Sequence, residues 1–223
     1  LRRAANGVVK ILDESGLPLT LSAVEEMAIR QSARVQAGEP ARRERLSIFL
    51  RERLDFYLRE VRGYSHDVVK AVLAAELTTV PDALARAQAL TGVRGSEDLA
   101  AISTAFKRIK NILRQADRMG REAAAGGQLL PEIVSADLTE PAERQLHADA
   151  LKLAPEVEAL RAQGQYPQAL ERIAALRPAV DAFFDTVMVM APEEHLRRNR
   201  LALIASVLGN FSRIADFSEM PED

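Results

Sequence analysis

Apolar side chains recur along the chain at spacings of three and four, and no stretch sustains an alternation of period two, so the pattern predicts helices throughout and no strands. The predicted helices run near 2–14, 22–37, 41–62, 66–77, 81–91, 97–120, 140–163, 167–177, 178–190 and 193–216. Gly16, Gly38, Gly63, Gly92, Gly120 and Gly164 each follow a periodic run, where a left-handed C-cap is wanted. Ser22 with Glu25 reads as a capping box, and Ser65 and Ser96 precede further helices. Pro81, Pro141, Pro167 and Pro178 sit in first-turn positions that tolerate a missing N–H. Pro155 lies inside the 140–163 run and is expected to kink or divide it. Ala123 to Thr139, with Gly126-Gly127 and Pro131, has the weakest periodicity and reads as a linker or loop, partly anchored by Leu129, Leu130, Ile133 and Val134.

The 223 residues are 48% hydrophobic, with a mean hydropathy of −0.10, which suits a soluble globular chain. No apolar run of about 18 residues is present to span a bilayer. Cysteine is absent, which excludes disulfides, thiolate nucleophiles and Cys-based metal sites. His66, His147 and His195 lie far apart with no metal-ligand spacing, and no P-loop, dinucleotide-binding glycine pattern, G-x-S-x-G or H-E-x-x-H occurs. No catalytic residue, metal ligand or cofactor site is therefore assigned. The chain begins at Leu1 with a helix already under way and without a signal-peptide pattern, as expected for a piece of a longer cytoplasmic protein.

The formal charge of −2 hides a division: residues 1–130 carry +5 and residues 131–223 carry −7. The sharpest local feature is the helix predicted at 97–120. At about 100° per residue, Lys107, Lys110, Arg114, Arg118 and Arg121 share a sector of about 80°, while Ile102, Phe106, Ile109, Leu113 and Ala116 cluster on another side. Residues 107–121 carry +5, and like charges at i, i+4 each cost a helix a few tenths of a kcal/mol. One reading is a solvated face in an Arg-rich chain, with 25 Arg to 5 Lys. The other is a rail for a nucleic-acid backbone. The 42–62 stretch interleaves Arg with Glu44, Glu52, Asp55 and Glu60 and reads as a salt-bridged surface.

Asp181 and Asp185 stand at i, i+4 in an apolar run, a spacing that suits either a metal or a buried helix whose acids meet caps or arginines. Further on, Arg197, Arg198 and Arg200 either touch RNA or pair with Asp181, Asp185 and Glu194. Gly164 followed by Tyr166-Pro167-Gln168-Ala169-Leu170 is similar to half of a tetratricopeptide repeat, although no echo follows at a period of about 34. It supports an alternative reading as a non-catalytic, helical-repeat-like protein-interaction scaffold. A metal-dependent hydrolase is a third reading.

Several strings carry a family resemblance. L-A-A-I-S-T-A-F-K-R-I-K-N-I-L from Leu99 to Leu113, then Glu143 to Leu146, then V-D-A-F-F-D-T-V-M-V-M-A-P-E-E-H-L-R-R-N-R-L-A-L from Val180 to Leu203, resemble the C-terminal region of bacterial glycyl-tRNA synthetase beta subunits. So do L-R-R-A-A-N-G-V-V-K-I-L at the start and G-Y-S-H-D-V-V-K-A-V-L-A from Gly63 to Ala74. The resemblance implies an all-α fold: a helical segment over 1–64, following the HD-type domain of the full subunit, then a DALR-like anticodon-binding helical bundle over 65–223. It also implies a non-catalytic part of a glycine-tRNA ligase. Its partners would be glycine tRNA and the alpha subunit, in an assembly of two alpha and two beta chains. ATP with magnesium would serve the full enzyme and not this chain. Lys107, Arg108, Lys110 and Arg114 are the expected phosphate contacts, with Asn111 toward a base or sugar and Arg198, Asn199 and Arg200 second. Two departures from the family pattern are Phe106, where a smaller or polar residue is expected, and a longer loop at Ala123 to Gly127.

Overall fold

A computed structural model of the chain describes residues 2–31, 40–76, 79–123 and 132–221, with side-chain surroundings for all of these except 40, 42 and 120–123. Among the described residues there is no strand, only an isolated bridge between Thr20 and Thr79. Internal packing divides the chain into two units, 1–92 and 93–223. This seam lies beyond position 64 because the helix after it, α4, packs on the helix before it, α3, and buries Val68, Val69 and Val72 within the first unit.

In the first unit, α1 (Arg2–Glu14) places Ala5, Val9 and Leu12 on one buried stripe, the spacing of three and four expected of a half-exposed helix. α2 (Leu21–Gln31) begins two residues earlier than a cap at Ser22 would place it. The Thr20 hydroxyl, not Ser22, accepts the Ala23 N–H at 3.0 Å and so caps the helix. α3 (Pro40–Phe56) runs into a π turn (Tyr57–Val61), where the Arg62 N–H reaches back five residues to the Tyr57 carbonyl. Tyr57 is buried there and donates its hydroxyl to Asp13 at 2.6 Å, tying the turn to α1. The Arg51 guanidinium donates to the Leu73 carbonyl at 2.8 Å, joining α3 to the end of α4 (His66–Ala74). α5 (Val80–Val93) contains Gly92, and the left-handed position after it falls to Gly95 at φ 79°. Gly120 likewise lies inside a helix rather than ending one, and Gly38 lies outside the described residues.

The second unit contains α6 (Glu97–Ala123), α7 (Pro141–Ala162), α8 (Tyr166–Ala174), α9 (Arg177–Thr186) and α10 (Glu194–Phe211), with short 3-10 turns at Ser135–Asp137 and Phe217–Glu219. α8 and α9 pack on α7, α10 packs on α6 and α7, and the last turn packs on α6. The α7–α8 hairpin turns at Gly164, φ 69°, and seats Tyr166 in the core; this is the feature that resembled half a tetratricopeptide repeat. α7 passes Pro155 undivided. Pro155 and Leu151, whose carbonyl the proline cannot bond, are both exposed. The run predicted as a helix to 190 ends at Thr186, because Val187 turns extended and both Val187 and Val189 enter the core.

A candidate nucleic-acid interface on the basic helix

α6 is the longest described helix, capped where the Ser96 hydroxyl accepts the Leu99 N–H at 3.2 Å. Ile102, Phe106 and Ile109 are buried, and Phe106 packs on Phe217 with ring centroids 5.5 Å apart, so the larger residue at that position is absorbed as a core contact. Those contacts fix the rotation of the helix and therefore which residues reach water.

The structure separates the predicted site residues into three groups. Asn111 and Arg114 are exposed and, with Arg118, make no hydrogen bond or ion pair among the described residues. Lys107 is half-buried beside them. Arg121 lies at the end of the stripe, where side chains are outside the description.

A second group is committed elsewhere. The Lys110 ammonium is bound by the Asp216 carboxylate, which sits just before the last 3-10 turn. Asp216 is buried, which by itself would raise its pKa, but the hydrogen bonds from Lys110 and Ser218 outweigh this and hold it below the usual carboxylate value. Arg108 is exposed and its guanidinium lies 4.2 Å from the centroid of the Phe184 ring on α9. Arg198 is exposed in a loose pair with Glu194 at 3.9 Å.

The third group faces inward, contrary to the surface position expected of it. Asn199, 3% exposed, grips the backbone of Val134 from both sides: its Oδ1 accepts the Val134 N–H at 2.8 Å, and its Nδ2 donates to the Val134 carbonyl at 3.1 Å. Arg200 pairs with Glu143, which is 0% exposed, and donates to the Met188 carbonyl at 2.9 Å. Glu143 also accepts the Glu140 N–H at 2.8 Å as one half of a capping box at the start of α7. Asn199 and Arg200 thus bracket two loops rather than present donors to a ligand.

The remaining acids and arginines sort differently from the sequence reading. Arg197 donates to the carbonyls of Ala191 and Pro192 at 2.8 and 3.1 Å. Asp181 is exposed and meets Arg177 at 3.7 Å, while Asp185 is exposed with no partner among the described residues. The arginines of α10 pair with neither. Among the described residues no group of three His, Asp or Glu side chains is placed to hold a metal, and no helix is long and apolar enough to cross a membrane. Asp216 and Phe184 were not singled out by the sequence. The first is 106 residues from its partner, and the second is one of two adjacent phenylalanines that the helical period alone does not rank.

The second unit is thus an all-α bundle built around one long, capped, cation-bearing helix. The chain belongs to the DALR anticodon binding domain family, which matches residues 102–215, from α6 through α10. Residues 1–74 match the glycyl-tRNA synthetase beta subunit family. Over 220 residues the chain is 57% identical to the glycine–tRNA ligase beta subunit of Acidobacterium capsulatum. It is 40% identical over 222 residues to that of Leptothrix cholodnii and 38% identical over 224 residues to that of Moorella thermoacetica. Each comparison covers 99% of the chain but only 31, 29 and 30% of the relative, so the chain spans about three tenths of the length of these proteins.

Proposed function

We propose that the chain recognises the anticodon arm of glycine tRNA for a glycine-tRNA ligase, while another chain performs the chemistry. The observation that carries this reading is the exposed pair Arg114 and Arg118, one turn apart on α6, with no counter-ion among the described residues. Two uncompensated guanidiniums on one helix face raise the local potential and are stabilised when phosphates approach. Lys107 flanks them, and Asn111, which can both donate and accept, faces a base edge or a ribose. Lys110 serves as a strut through Asp216, and Asn199 and Arg200 act from inside by fixing the Val134 and Met188 backbones. Arg198 extends the cationic surface from α10.

In this reading the protein is cytoplasmic and assembles as two beta chains with two alpha subunits. The alpha subunit joins glycine to tRNA with ATP and magnesium, and this chain holds no cofactor. The decisive measurement is binding of the full chain to glycine tRNA and to a variant with altered anticodon bases, across about 50 to 200 mM salt. Preference for the natural anticodon with affinity falling steeply in salt supports the reading. Absent or salt-insensitive binding, equal for both RNAs, overturns it. The scaffold alternative rests on the single α7–α8 hairpin, and the comparisons do not favour it.

A further inference from the structure

We propose that Arg108 and Phe184 form a stacking platform for one unpaired nucleobase, a site on α9 that lies apart from the basic stripe. The inference rests on the RNA-binding reading above. Arg108 projects about 100° around α6 from Lys107 and so leaves the phosphate-facing sector. Its guanidinium carbon instead lies over the Phe184 ring, 4.2 Å from the centroid. Phe184 is half-buried and braced edge-on by the fully buried Phe183, ring centroids 5.3 Å apart at 75°. The pair is therefore ordered before any ligand arrives, which lowers the entropy lost on stacking.

The contrast with Arg177 shows that Arg108 is not simply a cross-helix tie. Arg177 joins α9 to α6 through Asp98 at 2.8 Å, and also meets Asp181. Arg108 takes no carboxylate among the described residues, although Asp185 stands unpaired and exposed next to Phe184. A planar cation on an aromatic ring, solvent-exposed and without a salt bridge, is a surface on which unpaired bases stack.

The same acids decide between base and phosphate. Asp181 and Asp185 put two exposed carboxylates on the short helix that carries Phe184, and these repel a phosphate. A carboxylate accepts from exocyclic amino groups, so the platform favours cytosine, adenine or guanine over uracil.

The test uses the full chain and an anticodon stem-loop RNA of glycine tRNA, with 2-aminopurine placed in turn at each loop position. The expected result is a fluorescence change at one position on binding. Phe184→Leu should remove that change and weaken binding by about tenfold, with the salt slope and the thermal transition retained. Phe184→Tyr should restore both. Arg108→Lys should reduce the signal, because an ammonium is not planar. RNA binding with no responding loop position, or a Phe184→Leu variant with unchanged affinity and signal, overturns the platform and leaves the RNA-binding reading standing. No RNA binding by the unaltered chain overturns both. If Phe184→Leu loses capture of a protein partner while RNA binding is unchanged, the platform is likewise overturned, in favour of a protein interface.

Discussion

The ammonium of Lys110, in the middle of the basic helix, is bound by the carboxylate of Asp216, and this pair joins α6 to the last turn of the second unit. Asp216 also accepts the hydroxyl of Ser218 at 2.7 Å, so one carboxylate organises the turn and fastens it. Its folded pKa lies below the ordinary 3.8. The folded state therefore binds this proton less readily than the unfolded state does, and the stabilisation is complete above about pH 4 and lost as pH falls through the folded value. Asp216→Asn is expected to lower the unfolding free energy measured in urea at pH 7 by about 1.5 to 3 kcal/mol, as for a hydrogen bond to a charged group. The difference between Asp216→Asn and the unaltered chain should shrink as the acid is titrated. A difference that stays constant from pH 7 to pH 2.5 would show that the charge pair is not its origin.

Glu143 and Arg200 form the ion pair least exposed to solvent among those described, and each has a second duty, Glu143 in capping α7 and Arg200 in holding the Met188 carbonyl. Removing one partner strands a buried charge, which costs about 3 to 5 kcal/mol. Glu143→Ala should lower the thermal midpoint markedly. Arg200→Met should do the same without changing the salt slope of RNA binding in the folded fraction. A variant of Arg200 that keeps the stability of the unaltered chain but loses RNA affinity would return the residue to the binding surface.

The helical architecture was legible because period and punctuation agree. α1, α6 and the α7–α8 hairpin follow directly from apolar spacing and from Ser96, Pro141 and Gly164. What escaped was decided by contacts distant in sequence. Ser22 looked like a cap, but the turn at Thr20 reaches the helix first. The run of Val187 to Met190 has helical composition, yet Arg200 pins its backbone in another shape. At the site, helical angles place Lys110 in the same sector as Arg114, and only the fold shows that Asp216 occupies the one and nothing described occupies the other. Asn199 and Arg200 look like surface donors beside Arg198 because a residue string does not reveal that Val134 and Glu143 lie opposite them.

Tyr57 gives the first unit a marker at alkaline pH. Burial, reinforced by its hydrogen bond to Asp13, pushes the phenol from 10 to about 12. Here the folded state holds the proton more tightly, so stability is full below about pH 10 and declines between about pH 10 and 12, where only the unfolded chain ionises. Ultraviolet titration should show a late-ionising phenol that Tyr57→Phe removes. Asp13→Asn should bring that phenol down toward its ordinary value, whereas an unchanged late titration in that variant would assign the shift to burial alone.

Arg114 and Arg118 permit the sharpest separation of binding from folding. Both are exposed and neither has a partner among the described residues, so Arg114→Gln with Arg118→Gln should change stability by no more than about 0.5 kcal/mol. Relief of repulsion at i, i+4 adds a few tenths of a kcal/mol in the stabilising direction. Each lost phosphate contact lowers the slope of log affinity against log salt by about one unit, so the double variant should lose about two. Lys110→Met provides the opposite pattern, because its ammonium already belongs to Asp216: a lower melting point and a slope close to that of the unaltered chain. Should the double arginine variant keep its full salt slope while Lys110→Met loses one unit, the phosphate-facing side of α6 would have to be redrawn around Lys110. Asp216 would then be a competitor that the RNA displaces.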